Sequence, residues 1–326
     1  MFLETAKGGV ATLARFVIRR LLGAIPLLFI ISIMVFSLVL LLPGDPAIAI
    51  AGDAASVETI EGIRERLGEN DPLLERYADW AGGALRGDFG TSLFTEQDVT
   101  DAIWQRAPVT ASLAFVAVSI ALLISLPAGL IAGLNPGTKF DRLATIAASM
   151  GVAIPSFWMG LLLAVIFAVN NDWLPAIGYV PLTEDPVEWL KHLILPAFSL
   201  GLASSATLTR QLRSSVITVM QQDYVRTARA KGLRTRKIVF KHVLKNASIP
   251  AVTALGLQIP LLLSGTVIIE GLFGLNGIGQ YAVSAVLLRD LPVVQGVVMV
   301  SAVIVVVSNL LVDISYGYLN PKTRQG

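Results

Sequence analysis

Six long apolar runs, at residues 21–42, 109–134, 143–170, 192–212, 249–269 and 291–312, alternate with polar stretches along the 326-residue chain. Each reaches the roughly 20 residues that a helix needs to cross the hydrocarbon core of a bilayer. Inside a bilayer a helix satisfies its backbone N–H and C=O groups within the segment, so such runs are read as helices. The pattern predicts an all-α polytopic membrane protein with six transmembrane helices. It divides the chain into a segment 1–20, a first span 21–42, an insert 43–108, a five-helix core 109–322 with a loop 213–248, and a tail 323–326. Within the insert, 57–67 and 72–85 read as short amphipathic helices. Pro26, Pro127, Gly129, Pro155, Pro196, Pro260 and Gly265 interrupt the runs. Breaks of this kind are tolerated in membrane helices because neighbouring helices satisfy the freed carbonyls. Kinks at Pro155 and Pro260 are placed to shape a cavity or to bend during gating. With Ser156, Phe157, Trp158, Gln258 and Gly265 they are the candidate residues of a translocation path or gate.

Composition supports the pattern. The chain is 54% hydrophobic and 15% charged, with a mean hydropathy of +0.71; a soluble domain carries about 25% charged residues. Arg15, Arg19 and Arg20 precede the first apolar run, and the small residues Ala47 and Ala49 follow it. A secretory signal has that order, but its apolar region is about 7–15 residues, so the run is expected to stay as a span. With no cysteine and two histidines, disulfides and thiolate sites are excluded and a histidine-built metal cage is not expected.

The placement of charge gives the sides. Residues 43–106 hold thirteen acids against five bases, a net charge of −8. From Arg210 to Lys245 there are ten bases and a single acid, Asp223. Lys139 and Arg142 mark the loop 135–142 as basic, and Lys322 and Arg324 mark the tail. Short loops rich in Lys and Arg stay cytoplasmic. The expected topology therefore has both termini and the 213–248 loop in the cytoplasm, and an extracytoplasmic acidic insert.

Several chemistries are missing. The runs hold no Asp, Glu, Lys or Arg away from their ends, whereas ion-coupled carriers place ionisable groups at the midplane. No phosphate-cradling GxxxxGK[ST] loop, Gly-x-Ser-x-Gly elbow or His-Glu-x-x-His pair occurs. A chain that moves solute uphill without these needs its energy from another subunit. A membrane enzyme would need a convergent polar site, and a channel or scaffold would act without an ATPase.

The basic stretch is the place for that subunit to act. Asp223 is positioned to cap a helix over 223–231, with Arg229 and Lys231 in its last turn and Gly232 as the terminator. Tyr224, Ala228 and Gly232 would share one face, with Thr227 beside it and Arg226 and Arg229 to the side. A second helix is expected to start with Thr235 as cap and to run over 236–245. Its apolar residues Ile238, Val239, Val243 and Leu244 would lie on the membrane or on neighbouring spans. The competing reading is a positive-inside loop that also binds anionic lipid. Nucleic acid is disfavoured because base-stacking aromatics are absent.

The stretch Asp-Tyr-Val-Arg-Thr-Ala-Arg-Ala-Lys-Gly-Leu at 223–233 resembles the coupling motif of permease subunits of ABC importers. The resemblance is to the dipeptide/oligopeptide/nickel class, and within it to the first of two paired permeases, the B-type subunit. It extends over nearly the whole chain, in order: Arg19-Arg20 and Pro43-Gly44-Asp45-Pro46; Gly87-Asp88-Phe-Gly90-Thr-Ser92; Ile154 to Trp158; Leu195-Pro196 with Arg210 to Ser215; Glu270 to Gly279; Asp290-Leu-Pro292; and Asn309 to Tyr316 with Asn320-Pro321. One departure is Asn276, where the family usually has proline. The general importer motif begins Glu-Ala-Ala; Arg226-Thr227-Ala228 stand there, so that glutamate's contact is not carried over.

The resemblance implies the type I importer permease fold and a homologous second permease. It also implies two cytoplasmic ABC ATPases, which would hold the ATP and Mg, and an extracytoplasmic substrate-binding protein. This chain would hold no cofactor or metal and no catalytic residue. The coupling contacts implied are Asp223, Tyr224, Arg226, Thr227, Ala228, Arg229, Ala230, Lys231 and Gly232. Gly44, Asp45, Gly87, Asp88, Glu270, Gly277, Gly279, Asp290 and Pro292 fall in the extracytoplasmic motifs. The ligands implied are di- or oligopeptides first, with nickel chelates, glutathione or another polar solute as alternatives. The acidic insert would receive the binding protein or shield the cavity mouth.

Overall fold

A computed structural model describes residues 2–41, 47–48, 56–66 and 71–319. Gly44 and Asp45, with their flanking prolines and the Asn320-Pro321 pair, lie outside the described residues. The elements in chain order are α1 (Phe2–Leu41), α2 (Val57–Arg66), α3 (Leu73–Leu85), α4 (Val99–Leu134), α5 (Lys139–Ala153), α6 (Ser156–Leu163), α7 (Pro186–Met220), α8 (Asp223–Ala230), α9 (Thr235–Ile238), α10 (Leu244–Leu272), α11 (Ile278–Leu288) and α12 (Leu291–Leu319). A π-helical stretch, Ala164–Val169, continues α6, and a second, Val239–Val243, joins α9 to α10.

Five stretches are long and apolar enough to cross a membrane, and a sixth span results if α5 and the continued α6 form one crossing. The expected run 143–170 is bent by 101° between α5 and α6. The cause is local. Pro155 lacks an N–H, and its ring forces Ile154 into an extended conformation, φ −83° and ψ 121°. By contrast, α10 passes Pro250 and Pro260 as a single helix, so the interruption expected at Pro260 is not a break.

Helices also extend beyond the apolar runs. Asp98 accepts from the Asp101 N–H at 2.9 Å, which starts α4 ten residues before the apolar pattern does. Asp185 accepts from Val187 and Glu188 N–H groups ahead of Pro186, starting α7 six residues early. Those donors, Glu188 first, hold the Asp185 carboxyl below its usual range. The expected loop 270–290 contains an eleven-residue helix, α11. The expected helices 57–67 and 72–85 are α2 and α3.

The chain forms two compact units. One comprises residues 1–21, 109–277 and 307–326, with α7 at its centre and α5, α6 and α10 against it. Leu113, Leu193, Leu200, Ile269 and Phe273 anchor its main apolar cluster. Small residues let its helices approach closely, as membrane interfaces require: a Cβ on Gly133 would stand 2.7 Å from the Val216 Cβ and 2.9 Å from the Arg213 carbonyl. The other unit comprises residues 22–108 and 278–306. Val99, Ile103, Ile278, Val293 and Val297 form its core. Phe29, Phe36, Tyr77 and Trp80 pack α3 on α1, where Ser32 and the Tyr77 hydroxyl lie 2.8 Å apart.

Candidate coupling surface

The eight residues of α8 sit between α7 and the helix that begins at Thr235. Val225 is fully buried and Ala228 nearly so, in a cluster with Leu212 and Val216 of α7, Ile238, Val243 and Ala247. An eight-residue helix is too short to persist alone in water, so this two-residue footing holds it. Its far end is closed by a Schellman pair. The Gly232 N–H donates to the Arg229 carbonyl at 2.9 Å and the Leu233 N–H to the Ala228 carbonyl at 3.3 Å. The motif needs a left-handed residue, and Gly232 has φ +73°, as its expected terminator role requires.

Three expectations are corrected here. Asp223 is not the cap. Gln222 holds the extended cap conformation without a side-chain bond, and Asp223 is the first helical residue. Its carboxylate is free in solvent and lies 3.6 Å from the Arg226 guanidinium. The face Tyr224–Ala228–Gly232 does not present a small open surface, because Ala228 is turned into the apolar footing. Finally, Arg234 and not Thr235 occupies the cap of the following helix, which does not stop at Lys245 but continues through the π stretch to Leu272.

The outward surface of α8 consists of Asp223, Tyr224, Arg226, Thr227, Arg229 and Ala230, followed by Lys231 and Gly232, all exposed. Tyr224 is braced: its hydroxyl donates to the His242 carbonyl at 3.4 Å and accepts from the Asn246 amide at 2.9 Å. Neither His242 nor Asn246 stood out in the sequence, since polar residues amid a basic run carry no periodic signal.

Asp141 was also missed. Thr138 accepts from the Asp141 N–H and starts α5. The Asp141 carboxylate is almost fully buried and receives both the Nε and an Nη of Arg213, the latter at 2.8 Å, plus the Gly137 N–H at 2.8 Å. This bidentate pair fixes the start of α5 to the part of α7 that leads into α8. Its one legible sign was that Asp141 is the only acid between Lys139 and Arg142.

The path candidates lie on packed helices without forming one polar cluster among the described residues. Pro155 marks the α5–α6 break, Ser156 is half-buried, and Phe157 and Trp158 are exposed. The Gln258 carbonyl accepts from the Ser204 hydroxyl of α7 at 3.3 Å. Pro260 lies within α10, and a Cβ on Gly265 would meet Leu200 at 2.9 Å. The residues of the motifs expected to be extracytoplasmic fall in different units. In one unit, Glu270 is wholly buried and accepts from Thr110 at 2.7 Å, and Gly277 has no room for a Cβ because it would fall on that carboxylate. In the other, Gly87 has φ +83°, Asp88 accepts from the Gly90 N–H at 2.8 Å, and Asp290 receives the Ser92 hydroxyl at 2.5 Å and the Leu93 N–H at 3.2 Å. Gly279 is buried in α11 and Pro292 is the second residue of α12.

Residues 125–325 match the family described as binding-protein-dependent transport system inner membrane component, and residues 13–114 match the N-terminal family of the same membrane components. The chain belongs to this family. It is the multi-pass membrane permease subunit of an ABC importer. The oligopeptide transport system permease protein AppB of Bacillus subtilis (strain 168) is 40% identical over 313 residues, covering 95% of this chain and 99% of that one. The glutathione transport system permease protein GsiC of Escherichia coli (strain K12) is 39% identical over 309 residues, covering 95% and 98%. Among solved structures, a chain of the MetNI methionine ABC transporter, in an inward-facing conformation, aligns with a TM-score of 0.54 at 18% identity, over 67% of this permease and 96% of that chain. The permease thus has the type I importer fold.

Proposed function

We propose that the permease forms half of a translocation path for di- or oligopeptides and is driven by two cytoplasmic ATPases that grip the outward surface of α8. Its other partners are a homologous second permease and an extracytoplasmic binding protein that delivers the ligand, with both termini of this chain in the cytoplasm. The observation that carries the reading is the build of α8: a short helix footed on Val225 and Ala228, closed at Gly232, and turned outward with Asp223, Arg226, Thr227, Arg229 and Ala230. Such a stub transmits a push to α7 and to the helix after Thr235 because it rests on both. The grip therefore falls on the exposed Arg226 and Arg229, not on Ala228. Closure of an ATPase pair would move α8, and the Asp141–Arg213 pair would carry the displacement on to α5 and the break at Pro155.

The test uses the complete transporter. Arg226→Glu with Arg229→Glu should leave the permease inserted but lower co-purified ATPase and ligand-stimulated hydrolysis at least tenfold. Unchanged hydrolysis in that variant would sink the docking surface. Deleting residues 57–85 should weaken docking of the binding protein, and unchanged uptake and docking would remove the insert from the reading.

The peptide ligand is favoured by the AppB relative, and glutathione by GsiC at almost equal identity. Uptake competition between a tripeptide lacking thiol and γ-linkage and glutathione separates the two. Competition by glutathione alone would replace the first reading with the second.

A further inference from the structure

Beyond α8, Arg234, Arg236, Lys237 and Phe240 line a depression of about 390 Å³. All four are exposed, while Ile238 and Val239 between them are buried and fix the backbone that carries them. Ile238 belongs to the same apolar cluster as Val225 and Ala228, so the depression and the outward surface of α8 stand on one footing. Among the described residues, Arg234, Arg236 and Lys237 make no ion pair and no side-chain hydrogen bond. The Arg236 guanidinium only approaches the Phe240 ring, at 6.0 Å from its centroid. The one acid between Arg210 and Lys245, Asp223, lies by Arg226 instead. Three cations around one concavity repel each other, and acidic side chains would relieve that repulsion with charge-assisted bonds.

The place of these residues says where such acids come from. The helix from Thr235 runs on to Leu272, and Lys245 is the last charge ahead of its apolar run. Phe240 and the three bases precede Lys245 and so stand on its water side, Phe240 by about 7–8 Å along the helix axis. There the ring is 59% exposed. Arginine and aromatic side chains are the types enriched where proteins meet. A small dissolved anion would neutralise the bases and leave the ring uncovered. The mechanics also differ from those of α8. A grip on α8 reaches the Thr235–Leu272 helix only across the turn at Gly232 and through apolar contact, whereas Arg236, Lys237 and Phe240 are residues of that helix. Apolar contact carries a push; a charge-assisted grip on the helix itself also carries a pull.

We propose that the depression is a second contact of the same ATPase, which sets acidic side chains against Arg234, Arg236 and Lys237 and an apolar side chain over Phe240. Arg234 and Arg236 offer forked donors to carboxylates and Lys237 a point charge. This contact ties the ATPase directly to the helix Thr235–Leu272, so that the helix follows its partner in both directions of the cycle. The inference rests on the ATPase partnership proposed above, but not on α8 being the grip.

The complete purified transporter is probed with a photo-crosslinking residue at one position at a time. Phe240→benzoylphenylalanine should couple the permease to the ATPase subunit, the joined peptides being identified by mass spectrometry, and so should Thr227→benzoylphenylalanine on α8. Coupling at position 227 without coupling at 240 would overturn the second contact and leave the α8 grip standing. Coupling at 240 alone would support the depression and remove α8. Coupling at neither would overturn both readings, and coupling of position 240 to lipid would overturn the protein contact in favour of the membrane. A charge arm completes the test. Arg236→Glu with Lys237→Glu should weaken binding of the ATPase about tenfold and flatten its salt dependence, while Phe240→Ala should weaken binding several-fold with the salt dependence kept. All three side chains are exposed, so the melting temperature of the permease should not move. Unchanged affinity and salt dependence in the charge variant would overturn the proposal.

Discussion

Arg226 and Arg213 each face an aspartate, in surroundings that could hardly differ more. On α8, Arg226 and Asp223 are 71% and 96% exposed and 3.6 Å apart. At the foot of α5, Asp141 is 4% exposed and takes both arms of Arg213, itself 30% exposed. A pair in open water contributes about 0–1 kcal/mol, so α8 loses little stability by offering its charges to another protein. A buried pair is different: breaking it by removing one partner costs about 3–5 kcal/mol. Under the proposed coupling, the same two residue types would serve as a handle in one place and a rivet in the other.

Five variants break or sharpen this contrast, from largest effect to smallest. Arg213→Ala should destabilise the permease by about 3 kcal/mol, because Asp141 is left buried without its counter-charge. Thermal unfolding in detergent reads this, and a loss under about 1 kcal/mol would remove the contrast. Asp141→Asn combined with Arg213→Gln should recover a large part of the loss, since it leaves no unpaired charge.

Gly133→Val should cost about 1–3 kcal/mol by overpacking against Val216, in the same part of α7 that Arg213 occupies; unchanged stability would show that the helices have room to separate. Gly232→Ala should cost about 1 kcal/mol through its left-handed backbone, read as earlier hydrogen exchange at Leu233 than at Val225. Protection unchanged at both would mean that the Schellman closure does not hold the end of α8. Arg226→Ala should shift stability by under about 0.5 kcal/mol while weakening ATPase retention. A stability loss near that of Arg213→Ala would make the two pairs equivalent.

Much of the architecture was legible in the residues. Among the described residues, five of the six apolar runs fall on helices long and apolar enough to span, and the run 143–170 falls on the bent pair α5 and α6; Gly232 was placed correctly because a left-handed terminator demands glycine. Boundaries were less legible. The early start of α4 rests on Asp98, and its first turns carry Arg106, which lies 4.1 Å from the Tyr281 ring centroid, a contact between residues 175 positions apart in the numbering. The orientation of α8 was misjudged for a related reason. A small residue at helical spacing looks alike whether it meets a foreign surface or its own chain. Val225 and Ala228 together, one turn apart, were the available clue that this side faces inward. Asp141 was hidden because its partner lies 72 residues away, and a lone acid in a basic loop reads as noise.

The π-helical stretch Val239–Val243 has a consequence for how such chains tolerate insertion and deletion. A helix turns about 100° per residue, and a π turn is what remains when one residue is added without unwinding the rest. The stretch works as an angular offset, setting Ile238 toward the footing of α8 while leaving the phase of α10 free to suit its own neighbours. Removing a single residue there should restore a regular helix and swing Thr235–Ile238 by about 100°, carrying Ile238 out of its seat. Length is therefore more tightly constrained across these five residues than side-chain identity, and relatives that differ freely in sequence here should still keep the same count.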